Sequence, residues 1–214
     1  MIGVLAAALV AQIGVQALHR AGASAVPDLP PAPGLPALRL GSFGENEAAA
    51  RLAMVHLQSY RVPDYARLLE WLGEILALDP RSQYPLFSAA RVYAETADPA
   101  RSRLALEFVY REFLRDPERR WRWLAHAALL AKHRLKDLPL ARRYAQALEQ
   151  HARGPEVPPW ARQMEIFILE DMNELEAAKV LIASLLRSGA LSDPAELRFL
   201  QQRLEELEAR VSPR

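Results

Sequence analysis

Four prolines recur along this chain at nearly equal spacing. Asp79-Pro80, Asp116-Pro117, Gly154-Pro155 and Asp193-Pro194 stand 37, 38 and 39 residues apart. Proline has no N–H and holds φ near −65°, so each one ends a helix or opens the next. An aromatic follows each of the first three: Tyr84, then Trp121 and Trp123, then Trp160. Between the prolines, apolar residues recur at i, i+3, i+4 and i+7. Leu68, Trp71, Leu72 and Ile75 fit that template, as do Leu106, Val109, Tyr110 and Phe113. Ala141, Tyr144, Ala145 and Leu148 fit it again, and so do Ala178, Leu181, Ile182 and Leu185. No strand-like alternation of useful length competes with this pattern. Further apolar helices are predicted at Glu45–Ser59, Tyr84–Thr96, Trp121–His133, Trp160–Met172 and Pro194–Arg210.

A period of this length built from helix pairs predicts an all-α fold, an α-solenoid of stacked antiparallel helix pairs. No such unit buries its apolar face alone, so neighbours must stack.

Three segments carry a family resemblance. Trp121-Arg122-Trp123-Leu124-Ala125-His126-Ala127-Ala128 resembles the first helix of a tetratricopeptide repeat. Lys136-Asp137-Leu138-Pro139-Leu140-Ala141-Arg142-Arg143-Tyr144-Ala145 is similar to the turn and second helix, and Leu76-Ala77-Leu78-Asp79-Pro80 to the closing segment. The resemblance covers Glu45 to Gly189. It departs from the family in its period and in its poorly kept small-residue positions. It implies a helical-repeat scaffold for protein–protein interaction.

The chain divides into four parts by composition. Residues 1–20 contain Ile2 to Leu18, an uncharged run that predicts an N-terminal hydrophobic helix roughly 25 Å long. That length is at the short end of a membrane span. A single-pass anchor, a cleaved signal peptide ending at Ala23-Ser24-Ala25, and a soluble N-terminus are the competing readings. Arg20 taken alone places the following domain in the cytoplasm. The cleavage-like site and the spacer favour an inner-membrane protein with a periplasmic helical domain, or a soluble periplasmic one after cleavage. Residues 21–44 hold Pro27, Pro30, Pro31, Pro33 and Pro36 and predict an extended, semi-rigid linker. Residues 45–193 are the helical repeats. Residues 194–214 form a C-terminal capping helix and tail. Asp193 would be its N-cap, Pro194 its first residue, and Glu196 the return arm of a capping box. Its Leu197, Leu200, Leu204 and Leu207 would cover the last repeat or pair two chains.

Catalytic chemistry has no footing in the residues. Cysteine is absent, which removes thiolate ligands and thiol nucleophiles. His126 and His133 are about 10 Å apart along one helix, with Leu129 and Leu130 where a shared metal would need ligands. Glu165, Glu170 and Asp171 lack a neighbour that would separate their acidities. No phosphate-cradling loop and no Gly-x-Ser-x-Gly elbow occurs. The sequence therefore predicts a protein that is not an enzyme and uses no cofactor or metal.

Charge is segregated instead. Net charge over the chain is +1, which weighs against a general nucleic-acid binder. Arg115 to Arg143 nevertheless holds nine bases against three acids, and Pro155 to Arg214 eleven acids against seven bases. Arg119, Arg120 and Arg122 interleave with Trp121 and Trp123, a mixture enriched at binding hot spots. With Arg142 and Arg143 they form the candidate partner-binding set, suited to an acidic protein or peptide. The expected role is a membrane-tethered or exported interaction scaffold of the cell envelope. The competing role is an assembly subunit held through its termini.

Overall fold

The computed structural model describes residues 27–62, 64–189, 191 and 193–211. The run Ile2–Leu18 and the motif Ala23-Ser24-Ala25 lie outside the described residues. Within them the chain is all helix, with no strand. The helices are α1 (Leu35–Gly41), α2 (Asn46–Leu57), α3 (Tyr65–Leu78), α4 (Tyr84–Phe87), α5 (Pro99–Arg115) and α6 (Pro117–His133). After them come α7 (Leu138–His151), α8 (Pro159–Arg162), α9 (Met164–Asp171), α10 (Leu175–Arg187) and α11 (Pro194–Val211). No helix among the described residues is long and apolar enough to cross a membrane.

Aspartates set the helix starts. Asp64 accepts hydrogen bonds from the Ala66 and Arg67 amides, and Asp98 from those of Ala100 and Arg101. Asp137 caps α7 through the Leu140 amide, and Asp193 caps α11 through the Ala195 amide. Each satisfies N–H groups that an uncapped helix would leave orphaned. Pro99 and Pro117 then occupy first-turn positions where the missing N–H costs nothing.

Most of these helices pack on the next in the chain, and several also on the one after that. α6 and α7 pack most extensively, through Ala127, Ala128 and Ala131 on one side and Ala141 and Ala145 on the other. α3 meets α5, α4 meets α6, and α7 meets α9. Several side-chain bonds join residues 33 to 41 apart in the chain: Trp71 to Pro30 spans 41 residues, Trp123 to Gln83 spans 40, Arg143 to Glu107 spans 36 and Arg203 to Glu170 spans 33. Others are closer, with Arg142 and Gln146 reaching Glu165 across 23 and 19 residues.

Four expectations need correction. The helix predicted over Tyr84–Thr96 is α-helical only to Phe87. It widens into a π-helical stretch over Ser88–Tyr93, with the Ala94 amide reaching back to the Ala89 carbonyl. The helix predicted over Trp160–Met172 breaks into α8 and α9 at Gln163 (φ −90°, ψ 1°). Gln163 is buried, and its side-chain amide donates to Glu196 at 2.7 Å. Glu196 is therefore turned toward α8 and α9 rather than back along α11 as a capping box. Last, the described part of the Pro-rich stretch lies on the helical body instead of standing off it. Leu29 is only 2% exposed. Trp71 donates to the Pro30 carbonyl at 2.8 Å, and Arg67 to the Leu29 carbonyl at 2.9 Å. The Leu29 amide meets the Arg61 carbonyl at 3.0 Å. Proline removes donors but keeps acceptors, so a Pro-rich strand can still be pinned by side chains that donate. Past Gly34, Pro36 sits in the first turn of α1, where it favours a helix.

α11 lies on α10. Its Leu200 and Leu207 are buried in a cluster with Ile166, Leu169, Ala178 and Ile182, and Leu204 packs against it, while Leu197 is half-buried.

Candidate interaction surface

A cleft of about 760 Å³ lies between α2 and the loop that leads from α3 into α4. Met54, Val55 and Gln58 line one wall, and Arg81, Gln83 and Tyr84 the other. The loop exists because Asp79 ends α3 and accepts the Arg81 amide, turning the chain ahead of Tyr84. Tyr84 and Phe87, one turn apart, are both exposed and stack with ring centroids 5.9 Å apart.

Trp123 carries this aromatic run onto α6. Its ring meets Phe87 edge-on at 5.8 Å, and its indole N–H donates to Gln83 Oε1 at 2.6 Å. On the other flank of α6, Trp121 meets Trp160 of α8 edge-on at 5.8 Å. A smaller apolar pocket of about 220 Å³ follows, lined by Leu129, Trp160, Met164 and Phe167. Phe167 in turn lies 6.2 Å from Phe199 of α11. The ring contacts thus form three groups, Tyr84–Phe87–Trp123 between α4 and α6, Trp121–Trp160 between α6 and α8, and Phe167–Phe199 between α9 and α11. Edge-to-face and offset pairs of this kind add to area burial and fix ring orientation.

The candidate arginines fall into distinct environments. Arg119 is exposed, with Asp116 of the same turn at 3.5 Å. Arg122 is exposed, its guanidinium 5.7 Å from the Trp121 ring centroid. Arg120 is 5% exposed. It donates to Glu112 Oε2 at 2.9 Å and to the Glu112 carbonyl at 2.7 Å, and lies 3.5 Å from the Pro80 carbonyl. It ties the end of α5, the start of α6 and the α3–α4 loop together. Arg142 and Arg143 are on α7, away from these aromatic groups. Arg142 reaches Glu165 at 3.2 Å and Glu174 at 3.1 Å. Arg143 pairs with Glu107 and lies over the rings of Tyr110 and Tyr144 at 4.7 and 5.2 Å. The seven candidates do not converge. Arg119, Arg122, Trp121 and Trp123 share α6, whereas Arg120 holds an inter-helix joint and Arg142 and Arg143 bridge α7 to neighbouring helices.

Sequence reasoning missed the cleft between α2 and the α3–α4 loop. Tyr84 was visible as a period marker, but the cleft beside it depends on the separation of α2 from the α3–α4 loop, which no local pattern encodes. His126 is half-buried, its Nε2 3.4 Å from Glu95 Oε1. Burial, then the Arg91 charge, pushes its pKa below the ordinary value. The Ala90 backbone, within the π-helical stretch, supplies its other contact.

Comparison with protein-family models, with curated proteins and with solved structures finds no match to this chain.

Proposed function

We propose that this chain is an α-solenoid of the tetratricopeptide-like kind, tethered to or exported across a membrane, that binds a protein or peptide partner. The observation that carries the reading is the trio of touching aromatics, Tyr84, Phe87 and Trp123, beside the 760 Å³ cleft. Exposed aromatics in contact with one another present large, rigid apolar area at little entropic cost, as binding hot spots do. Several side-chain bonds between residues 33 to 40 apart support the solenoid arrangement, since each unit then touches its neighbours.

A peptide would run from the cleft, past Tyr84 and Phe87, to Trp123. Arg81, Arg119 and Arg122 flank that path. Among the described residues Arg81 and Arg122 have no carboxylate within 4.0 Å, so acidic side chains on the partner would find donors there. Arg120, Arg142 and Arg143 hold helices to one another in this reading. The tether is Ile2–Leu18, with the helical domain on the periplasmic side.

The test is retention of a partner from mildly solubilised native membranes by three full-length forms. The Arg119→Glu/Arg122→Glu and Trp123→Ala variants should each keep the native helical spectrum yet lose at least ten-fold of the retained partner. Unchanged retention by both variants, with the spectrum intact, would overturn the assignment of this surface.

A further inference from the structure

We propose that the α1–α2 turn rests on the lipid bilayer, with Leu40 and Phe43 in the acyl-chain boundary and Arg39 at the headgroups. The turn is the most exposed large apolar feature of the fold. Phe43 is 93% exposed and Leu40 is 80% exposed, three residues apart. Large apolar side chains held in water gain nothing for the monomer.

The turn is also built to present them. Ser42 is buried. Its Oγ lies 2.8 Å from the Arg39 carbonyl oxygen and 2.6 Å from Asn46 Oδ1, within reach of both but with one proton to donate, where α1 ends and α2 starts. The Glu45 amide closes on the Ser42 carbonyl at 2.9 Å. Phe43 sits between these ties at φ 52°, in the left-handed region that non-glycine residues seldom occupy. A glycine would relieve that strain, and Gly41 and Gly44 flank it, yet a phenylalanine stands there. Strain of this kind persists where the surroundings over-determine it and the residue has a use.

The geometry of the chain identifies the occupant. Residues 19–26 separate the apolar run Ile2–Leu18 from Pro27, a span of at most about 30 Å. The fold then starts with Asp28 bridged to Arg61, just past the end of α2. α2 is 12 residues, roughly 18 Å, and the turn lies at its other end. A bilayer reached by the apolar run is thus within reach of the turn. The short tether keeps the local concentration of lipid high, so a contact of two apolar side chains suffices. Arg39 has no carboxylate within 4.0 Å among the described residues, which leaves its guanidinium for a lipid phosphate.

The inference rests on the tethered reading, and its test separates the two. The chain has no cysteine, so one introduced cysteine labels uniquely. At Gly41 an added side chain meets nothing within 4 Å, so Gly41→Cys leaves Leu40 and Phe43 in place. The full-length protein, carrying an environment-sensitive fluorophore at this position, is reconstituted into phosphatidylcholine–phosphatidylglycerol vesicles with or without brominated acyl chains. Flotation reads the tether, and quenching by bromine reads the turn. The fluorophore should lose at least half its intensity in brominated vesicles. A Gln150→Cys control at an exposed position of α7, and Gly41→Cys combined with Leu40→Asp and Phe43→Asp, should lose little. A chain that fails to float overturns the tether, and the turn contact with it. A chain that floats with position 41 unquenched overturns the turn contact alone. A blue-shifted but unquenched label means that protein covers the turn, from this chain or a second copy, and overturns it equally.

Discussion

Among the described residues, two hydrophobic clusters are built differently. The larger runs from Leu29 to Ile168 and encloses Phe113, Leu124 and Tyr144 completely. The smaller joins Ile166 and Leu169 of α9 to Ala178 and Ile182 of α10 and Leu200 and Leu207 of α11. With so little apolar area enclosed, hydrophobic stabilisation of the second region is correspondingly small. Its helices are linked in addition by charge. Arg203 reaches Glu170 at 2.8 Å and Glu206 at 2.7 Å, and Arg210 reaches Glu170 at 3.2 Å. The Glu170 side chain is largely enclosed, but Arg210 and Glu206 are half-exposed, and such pairs contribute little net stability. A clear helical period in sequence therefore does not imply equal stability along the chain. The last two helices should open before the rest.

The substitutions with the largest effect test whether the larger cluster is one cooperative unit. Phe113→Ala should cost about 3–5 kcal/mol, the range for truncating a fully enclosed phenylalanine. Urea denaturation followed by tryptophan fluorescence measures this, because Trp71, Trp121 and Trp123 pack against the same cluster. A loss under 1 kcal/mol would mean that the cluster is divided.

Arg120→Ala should cost somewhat less, about 2–3 kcal/mol, because the buried Glu112 carboxylate keeps only its contact with the exposed Arg115. Replacing both partners, Arg120→Met with Glu112→Leu, should recover most of the loss. A single variant as stable as the parent would remove Arg120 from the joint and return it to the surface set.

Leu200→Ala probes the smaller cluster and should cost about 2 kcal/mol, at the low end for a buried leucine. Amide exchange should quicken across α10 and α11 and stay unchanged in α3 to α7. Equal quickening in both regions would erase the distinction between them. Asp193→Ala should cost about 1 kcal/mol through loss of the α11 cap, with the same local signature.

Much of this architecture was readable from the chain. The proline period, the helix templates at Leu68–Ile75 and Leu106–Phe113, and the Asp193 cap are local features, and local rules find them. What escaped depended on distant partners. Arg120 lies in a run with Arg119 and Arg122 and reads as surface, but its helical position turns it inward onto Glu112, eight residues earlier on another helix. Leu29 is one leucine among prolines, and its burial follows from Arg67 and Trp71 reaching for neighbouring carbonyls. Gln163 breaks a helix that its own sequence would continue, while its side chain bonds to Glu196 of α11. Trp121 and Trp123, two residues apart on α6, face opposite neighbours, Trp160 and Phe87, which the interleaved Arg and Trp pattern does not show.

The finest probe of the two regions is pH. His126 belongs to the larger region. It is packed by α4's π-helical continuation, where Arg91, Glu95 and the Ala90 backbone face it. Burial holds its pKa below 6.5, with Arg91 adding and Glu95 opposing. Above pH 6.5 the imidazole is neutral in both folded and unfolded chains, so it contributes no slope. As pH falls through 6.5 the unfolded chain takes up the proton first, and stability drops until the folded-state pKa is reached; below that the loss is constant. In the smaller region the shifted groups are Arg203, raised, and Glu206, lowered from 4.5, and both titrate far from neutral. Acidification from pH 7 to 5 should therefore loosen the α4–α6 contact while α10 and α11 keep their exchange rates. His126→Gln should flatten the dependence of the urea midpoint on pH over that interval. An undiminished slope in that variant would place the titrating group elsewhere and leave the π-helical stretch without a part in it.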